Sequence, residues 1–269
     1  MTASMRDGAL PAARPRALRR VRGGGLPGAV AAEWTKLRSL GSTWMLLLAA
    51  VVTMAAGTTL LGLATHAEQG ADAAARVSDP ATPVAMYPVV FVTAALAASS
   101  VTGEYVTGTI VTTLQCVPDR TRLMLAKCIA VAVVVLAIGC VLGALGILAG
   151  ALAFETTGFD RVRALDRTVA IAVHPTLTSL LALGLAALTR NATATLVTMF
   201  VLLILAPVTL SATGAAAAHD VAQALPQAAG ARFTANTPAP YGRGPALLIL
   251  AMWAAAAGIA TATLRRRDA

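Results

Sequence analysis

The sequence predicts an all-α, polytopic membrane protein with six transmembrane helices, both termini cytoplasmic, preceded by a short interfacial helix. Three observations predict it. Of 269 residues, 57% are hydrophobic and only 12% are charged, too apolar for a soluble domain of this length. The apolar residues gather into six stretches free of Asp, Glu, Lys and Arg. Each is close to the roughly 20 residues a helix needs to cross a bilayer core of about 30 Å. Lipid offers the backbone no water, so such stretches form helices. Finally, the charges between the stretches are sorted by side, as set out below.

Residues 1–28 are rich in Arg, Ala, Gly and Pro, with Gly23, Gly24, Gly25 and Gly28 at their end, and read as a disordered basic tail. Residues 29–269 read as one transmembrane domain. Within it, residues 30–42 form the interfacial helix. Val30, Trp34 and Leu37 fall on one helical face, while Glu33, Lys36 and Arg38 occupy much of the rest, which suits a helix lying at headgroup depth. The spans then run from Trp44 to Ala64, Val84 to Val101, Cys128 to Gly150, Val169 to Leu188, Ala192 to Leu210 and Ala246 to Leu264. A cleaved signal peptide fits poorly, because the first apolar run is too long and starts too late.

Between the spans, His66 to Pro83 and Phe154 to Arg167 read as solvated outer connectors, and Arg190-Asn191 as a tight inner turn. The stretch from Ser211 to Pro245 is too rich in Ala, Gly and Pro to fold as a domain alone. Pro175 and Pro207 predict kinks in the fourth and fifth spans. Gly139, Gly143, Gly146 and Gly150 form two G-x-x-x-G patterns along the third. Small residues let helices approach closely, within one subunit or between two, and the sequence leaves both readings open.

With both termini cytoplasmic, the inner segments hold 15 of the 21 basic residues and 5 of the 12 acidic ones, a net +10 against −1 outside. This positive-inside bias sets the orientation. The basic residues therefore read as topology signals near anionic lipid, and nucleic acid is not an expected partner. Cys116, Cys128 and Cys140 lie away from the oxidising side and lack metal-site spacing, so they read as small apolar residues.

Ion-coupled transporters place charged groups at mid-membrane, and here the spans hold one imidazole, His174, and no charge. His174 reads as a packing group; an intramembrane enzyme would need a polar constellation around it. There is no H-E-x-x-H, no G-x-S-x-G and no G-x-x-x-x-G-K-[ST] phosphate loop. No catalytic residue, metal ligand or bound cofactor is therefore assigned. Any energy input has to come from another chain.

The informative polar element is the inner loop of residues 102–127, TGEYVTGTIVTTLQCVPDRTRLMLAK. It is far longer than a turn and dense in Thr. An acidic residue beside an aromatic, followed by Gly-Thr, makes a compact docking surface, and Pro118-Asp119 starts a short helical stretch leading into the third span.

Two segments carry a resemblance. One is A-x-E-W-T-K-L-R-S from Ala31 to Ser39, followed by S-T-W from Ser42 to Trp44. The other is T-G-E-Y-x-T-G-T-I-x-T-T-L from Thr102 to Leu114, then V-P-x-R to Arg120 and L-A-K to Lys127. Together they resemble permease subunits of ABC exporters of the ABC-2 type, particularly short actinobacterial ones, over about residues 30–269. The resemblance implies a multi-pass subunit of the bacterial cell membrane, working as a homo- or heterodimer with separate ATPase subunits. ATP and Mg would bind on the partner ATPase. It implies an ATPase-coupling contact at Glu104, Tyr105, Gly108 and Thr109, and an interfacial helix carrying Glu33, Trp34 and Lys36. Leu225-Pro226 onward would be an outer re-entrant or capping segment. Where relatives often carry basic residues, this chain has Val106 and Val111. The alternative is an ATPase-independent structural or sensory membrane protein.

Overall fold

The computed structural model describes residues 25–67, 83–117, 119–154, 161–235 and 240–267, and among them every regular element is a helix. A short helix, α1 (Gly25–Ser39), leads to α2 (Gly41–Ala67), α3 (Pro83–Val106) and the small α4 (Ile110–Cys116). Two long helices follow, α5 (Arg120–Phe154) and α6 (Arg161–Thr189). Next come α7 (Ala192–Phe200), a π-helical segment (Val201–Leu205) and α8 (Ala206–Ala212) in one continuous rod. Two short helices, α9 (Ala216–Gln223) and α10 (Pro226–Ala235), precede the last, α11 (Arg243–Arg267). Six of these units are long and apolar enough to cross a membrane: α2, α3, α5, α6, the α7–α8 rod and α11.

The helix before the first span differs from the expectation in position and in face. It runs from Gly25 to Ser39 rather than over 30–42, and stops at Leu40. The indole N–H of Trp44 donates to the Arg38 carbonyl at 2.9 Å, and Ser39 Oγ donates to the Lys36 carbonyl at 3.0 Å. Both satisfy acceptors that a helix end leaves open. The buried residues are Ala29, Glu33 and Leu37, so Glu33 faces inward with the apolar positions and Trp34 is only half-buried. Periodicity assigns a carboxylate to the wet side; here two ammonium groups hold it inside. Residues 1–24 of the expected basic tail lie outside the described residues, and 25–28 belong to α1.

Helix α6 is the hub. It packs against α3, α5, α7, α10 and α11, and buries Ala170, Ile171, Ala172, Leu181, Ala182, Leu183 and Ala186. Lipid tails are as apolar as leucine, so close packing rather than water exclusion holds such helices together. Small residues supply that closeness. A Cβ built on Gly139 would fall 2.5 Å from Ala172 Cα, one on Gly143 2.9 Å from Thr168 Cα, and one on Gly184 2.5 Å from Ala257 Cβ. The first G-x-x-x-G pair thus packs α5 onto α6 of the same chain. Gly146 and Gly150 continue α5, and their surroundings lie outside the described residues.

Prolines fall in three spans, since Pro88 in α3 joins Pro175 and Pro207. Near Pro175, the Thr176 and Thr178 hydroxyls donate one turn back along the helix, to the Ala172 and His174 carbonyls at 2.7 and 3.0 Å. Pro207 follows directly on the π-helical segment, the second recognised cause of helix bending. The turn after α6 is as short as expected. Arg190 takes φ 54°, and Asn191 caps α7 by accepting the Ala194 N–H at 3.1 Å.

Candidate functional site

Four charged side chains from three helices meet at one end of the bundle. Glu33 and Lys36 are one turn apart on α1, Glu104 lies in the last turn of α3, and Lys127 in the second turn of α5. Lys127 Nζ donates to Glu33 Oε2 at 2.7 Å, to Glu104 Oε1 at 2.8 Å and to the Ser100 carbonyl at 3.1 Å. Lys36 Nζ donates to Glu33 Oε1 and Glu104 Oε1, each at 2.7 Å, and at 3.4 Å to Thr113 Oγ1 on α4. The quartet is electrically balanced and stitches α1, α3, α4 and α5 together.

Its burial makes it consequential. The Lys127 side chain is 3% exposed and that of Glu33 5%. Ions so far from water need their partners, because the desolvation penalty of each is several kcal/mol. Burial alone would push the Lys36 ammonium down. The hydrogen bonds and charges of Glu104 and Glu33 outweigh it and hold its pKa above the usual lysine value. One acceptor, Glu104 Oε2, is buried without a hydrogen-bond partner in the protein.

Above the quartet stands the loop between α3 and α5. Gly108 ends α3 in the left-handed conformation, φ 70°, which a glycine adopts without steric cost. Thr107 and Thr109 hydroxyls meet across it at 2.9 Å. Helix α4 then turns Ile110, Thr113 and Leu114 partly inward and leaves Val111, Thr112 and Gln115 exposed. With Val106, 83% exposed, and Val111, 60% exposed, the tip is an apolar and threonine-rich surface.

The four residues of the expected coupling contact therefore divide. Gly108 and Thr109 lie exposed at the tip, Glu104 points inward to the lysines, and Tyr105 is half-buried with the Arg190 guanidinium 5.7 Å from its ring centre. Sequence reasoning missed Lys127 as a site residue because it fell one position before the apolar stretch that starts at Cys128. The signal was present: Glu104 and Lys127 sit where their helices meet the apolar stretches, and Glu33 and Lys36 on the short helix just before the first of them.

The other singled-out residues lie elsewhere. His174 is fully buried in α6, and its ring occupies the space where a side chain on Gly230 of α10 would go, with a Cβ there 1.9 Å from Nε2. Neither ring nitrogen has a hydrogen-bond partner in the protein, and nor does the amide of Gln227, one turn before Gly230. Helix α10 is anchored by Arg232, which donates to Gln223 Oε1 from Nε at 2.8 Å and from Nη2 at 2.6 Å. The Tyr241 hydroxyl donates to the Gln223 carbonyl, and Arg243 pairs with Asp166. Cys116 and Cys140 are exposed, Cys128 is half-buried, and all three are free. Among the described residues, no three His, Cys, Asp or Glu side chains gather to hold a metal.

No curated protein matches the chain. A family model described as ABC-2 family transporter protein matches residues 29–206, which includes most of α1, all four members of the quartet and the loop above it. That match covers well over half of the chain, and the protein belongs to the ABC-2 transporter family, as one of its membrane transport subunits.

Proposed function

We propose that this subunit is the permease of an ATP-driven exporter in the bacterial cell membrane, that it works as a dimer, and that a separate ATPase drives it through the α3–α5 loop. The observation that carries the reading is the quartet. Lys36 and Lys127 bind the base of the loop to α1, α3 and α5 through four ion-pair contacts of 2.7 to 2.8 Å. A push on the exposed tip is therefore passed into three helices at once instead of being absorbed by a slack connector. In this reading Glu104 is the anchor of the lever. Val106, Gly108, Thr109 and Val111 form the face that meets the ATPase.

The remaining features fit around this. The positive-inside bias supports a cytoplasmic position for the loop, α1 and both termini, where an ATPase with its bound ATP and Mg would reach the loop. Helix α1 lies at that interface. Substrate passes between two permease copies, and the apolar spans favour an amphipathic or lipid-like molecule.

The test is affinity purification of the tagged protein from its own membranes with identification of its companions. A stoichiometric P-loop ATPase is expected with the wild type and lost with Val106→Asp or Val111→Asp, exposed positions whose change leaves the packed helices alone. A clean preparation without an ATPase, under conditions that keep other membrane complexes intact, favours the structural or sensory alternative.

A further inference from the structure

The turn between the fourth and fifth spans carries an arginine where glycine is usual. Helix α6 ends at Thr189 and α7 starts at Ala192, so Arg190 and Asn191 make the whole connection. Arg190 takes φ 54°, and its N–H donates to the Ala186 carbonyl at 2.9 Å, the left-handed cap that closes many helices. A residue with a Cβ adopts that conformation at a cost that glycine avoids. Among the described residues, every other positive φ belongs to a glycine. The turn itself does not call for the side chain. Asn191 caps α7, and the Thr189 and Thr195 hydroxyls meet at 2.8 Å across the turn.

The guanidinium reaches toward another element. It lies 5.7 Å from the centre of the Tyr105 ring, within the range of cation–π attraction. Tyr105 follows Glu104, the α3 member of the quartet. Both line one hollow of about 200 Å³ together with Arg190 and with Ile110 and Leu114 of α4. The α6–α7 turn and the α3–α5 loop thus face each other across this space. The quartet ties the loop to α1, α3 and α5, but none of its members lies on α6 or α7. Helix α3 packs on α6 and α7 along its length, and the arginine couples their ends beside the loop. We infer that Arg190 is a positioning residue. Through the Tyr105 ring it links the α6–α7 turn to the base of the loop, so that a displacement of the loop carries the fourth and fifth spans with it. This rests on the proposed reading of the loop as a lever only for the source of the displacement. A turn capped on both sides leaves little slack between the guanidinium and the two helix ends. An exposed cation–π contact is weak, so it biases the joint without locking it.

The link is tested first in the full-length permease alone, in a Cys128→Ala/Cys140→Ala background. Nitroxides are placed on Cys116 at the end of α4 and on Thr193→Cys at the start of α7, both exposed positions. The distance distribution between them, read by pulsed electron resonance, is expected to show one main peak. Arg190→Gly suits the backbone and removes the guanidinium. It is expected to raise the fraction of pairs outside that peak about two- to fivefold, the factor an exposed cation–π contact is worth. Tyr105→Leu gives the same rise, and Tyr105→Phe, which keeps the ring, stays as the parent. Arg190→Gly combined with Tyr105→Leu goes no further than either alone, as partners in one contact do. An unchanged distribution in Arg190→Gly overturns the inference, as does an additive rise in the double variant or a Tyr105→Phe that matches Tyr105→Leu. With the ATPase captured, ATP and Mg are expected to change the Thr193→Cys spectrum in the parent and not in Arg190→Gly, while both retain the ATPase. A change that persists in Arg190→Gly overturns the inference. Failure to capture an ATPase overturns the lever reading instead, and the distances then decide the link alone.

Discussion

At the scale of single residues, Lys127 is the most exacting position in the chain. It neutralises two buried carboxylates and also meets the Ser100 carbonyl. Lys127→Met preserves much of the volume and leaves two acids with one cation. Removing one partner of a buried ion pair costs about 3–5 kcal/mol. Thermal unfolding of the purified protein is expected to fall accordingly, and Lys127→Met combined with Glu33→Gln to fall by less than the sum of the two, as coupled partners do. Alkaline titration follows from the sign of the Lys36 shift. A lysine whose folded pKa is raised contributes fully below its unfolded pKa and loses that contribution as pH rises through the folded value. Between pH 7 and 9 the Lys36 contribution is therefore expected to be complete and independent of pH, and its loss to begin only above about pH 10.5. A midpoint near neutrality in the wild type, absent from Lys36→Met, contradicts this.

At the scale of helices, the contact between α6 and α10 makes the sharpest prediction. The His174 ring fills the notch at Gly230, so Gly230→Ala forces two groups into one space. Overpacking of this kind costs about 1–3 kcal/mol. Removing the ring in Gly230→Ala/His174→Ala is expected to recover part of it, and thermal unfolding of the four proteins in the cycle reads the coupling directly. Legibility in the sequence divides along the same line. The six spans were readable because a bilayer imposes length and composition on each stretch independently. The Gly139–Gly143 spacing announced a close approach, but not to which helix. The pairing of Glu33 with Lys127 links positions 94 residues apart, and that of His174 with Gly230 depends on where α10 folds back. Neither leaves a periodic trace. Glu33 shows the limit most plainly, because a charged residue on a buried face contradicts the pattern from which faces are read.

At the scale of the molecule, orientation can be tested with a residue the fold already supplies. Cys116 is exposed at the end of α4, while Cys128 and Cys140 belong to a span. A membrane-impermeant maleimide is expected to label Cys116 in inverted vesicles and not in intact cells, and Cys116→Ser to abolish that label. Labelling from the outside of intact cells would reverse the topology and remove the loop from the reach of any cytoplasmic ATPase. A second view of the whole comes from the closeness of α5, α6 and α11 at Gly139, Gly143 and Gly184. At these points Gly139 and Gly143 meet the backbone of α6 and Gly184 meets the Ala257 side chain, whereas α2 and α11 expose Met45, Leu48, Leu248 and Met252 on their outer faces.

The π-helical segment at Val201–Leu205 has an angular consequence. Such a segment takes up one residue more than an α-helical turn does, so side chains after it lie about 100° from where an unbroken α-helical count would place them. The face each residue of α8 occupies therefore cannot be read by continuing the α-helical count from α7. Deleting one residue from Val201–Leu205 would leave both flanking sequences untouched and restore a uniform helical phase. Because the wider turn absorbs the extra residue, the heading of α8, and with it the seating of Gly230 against His174, is expected to survive that deletion.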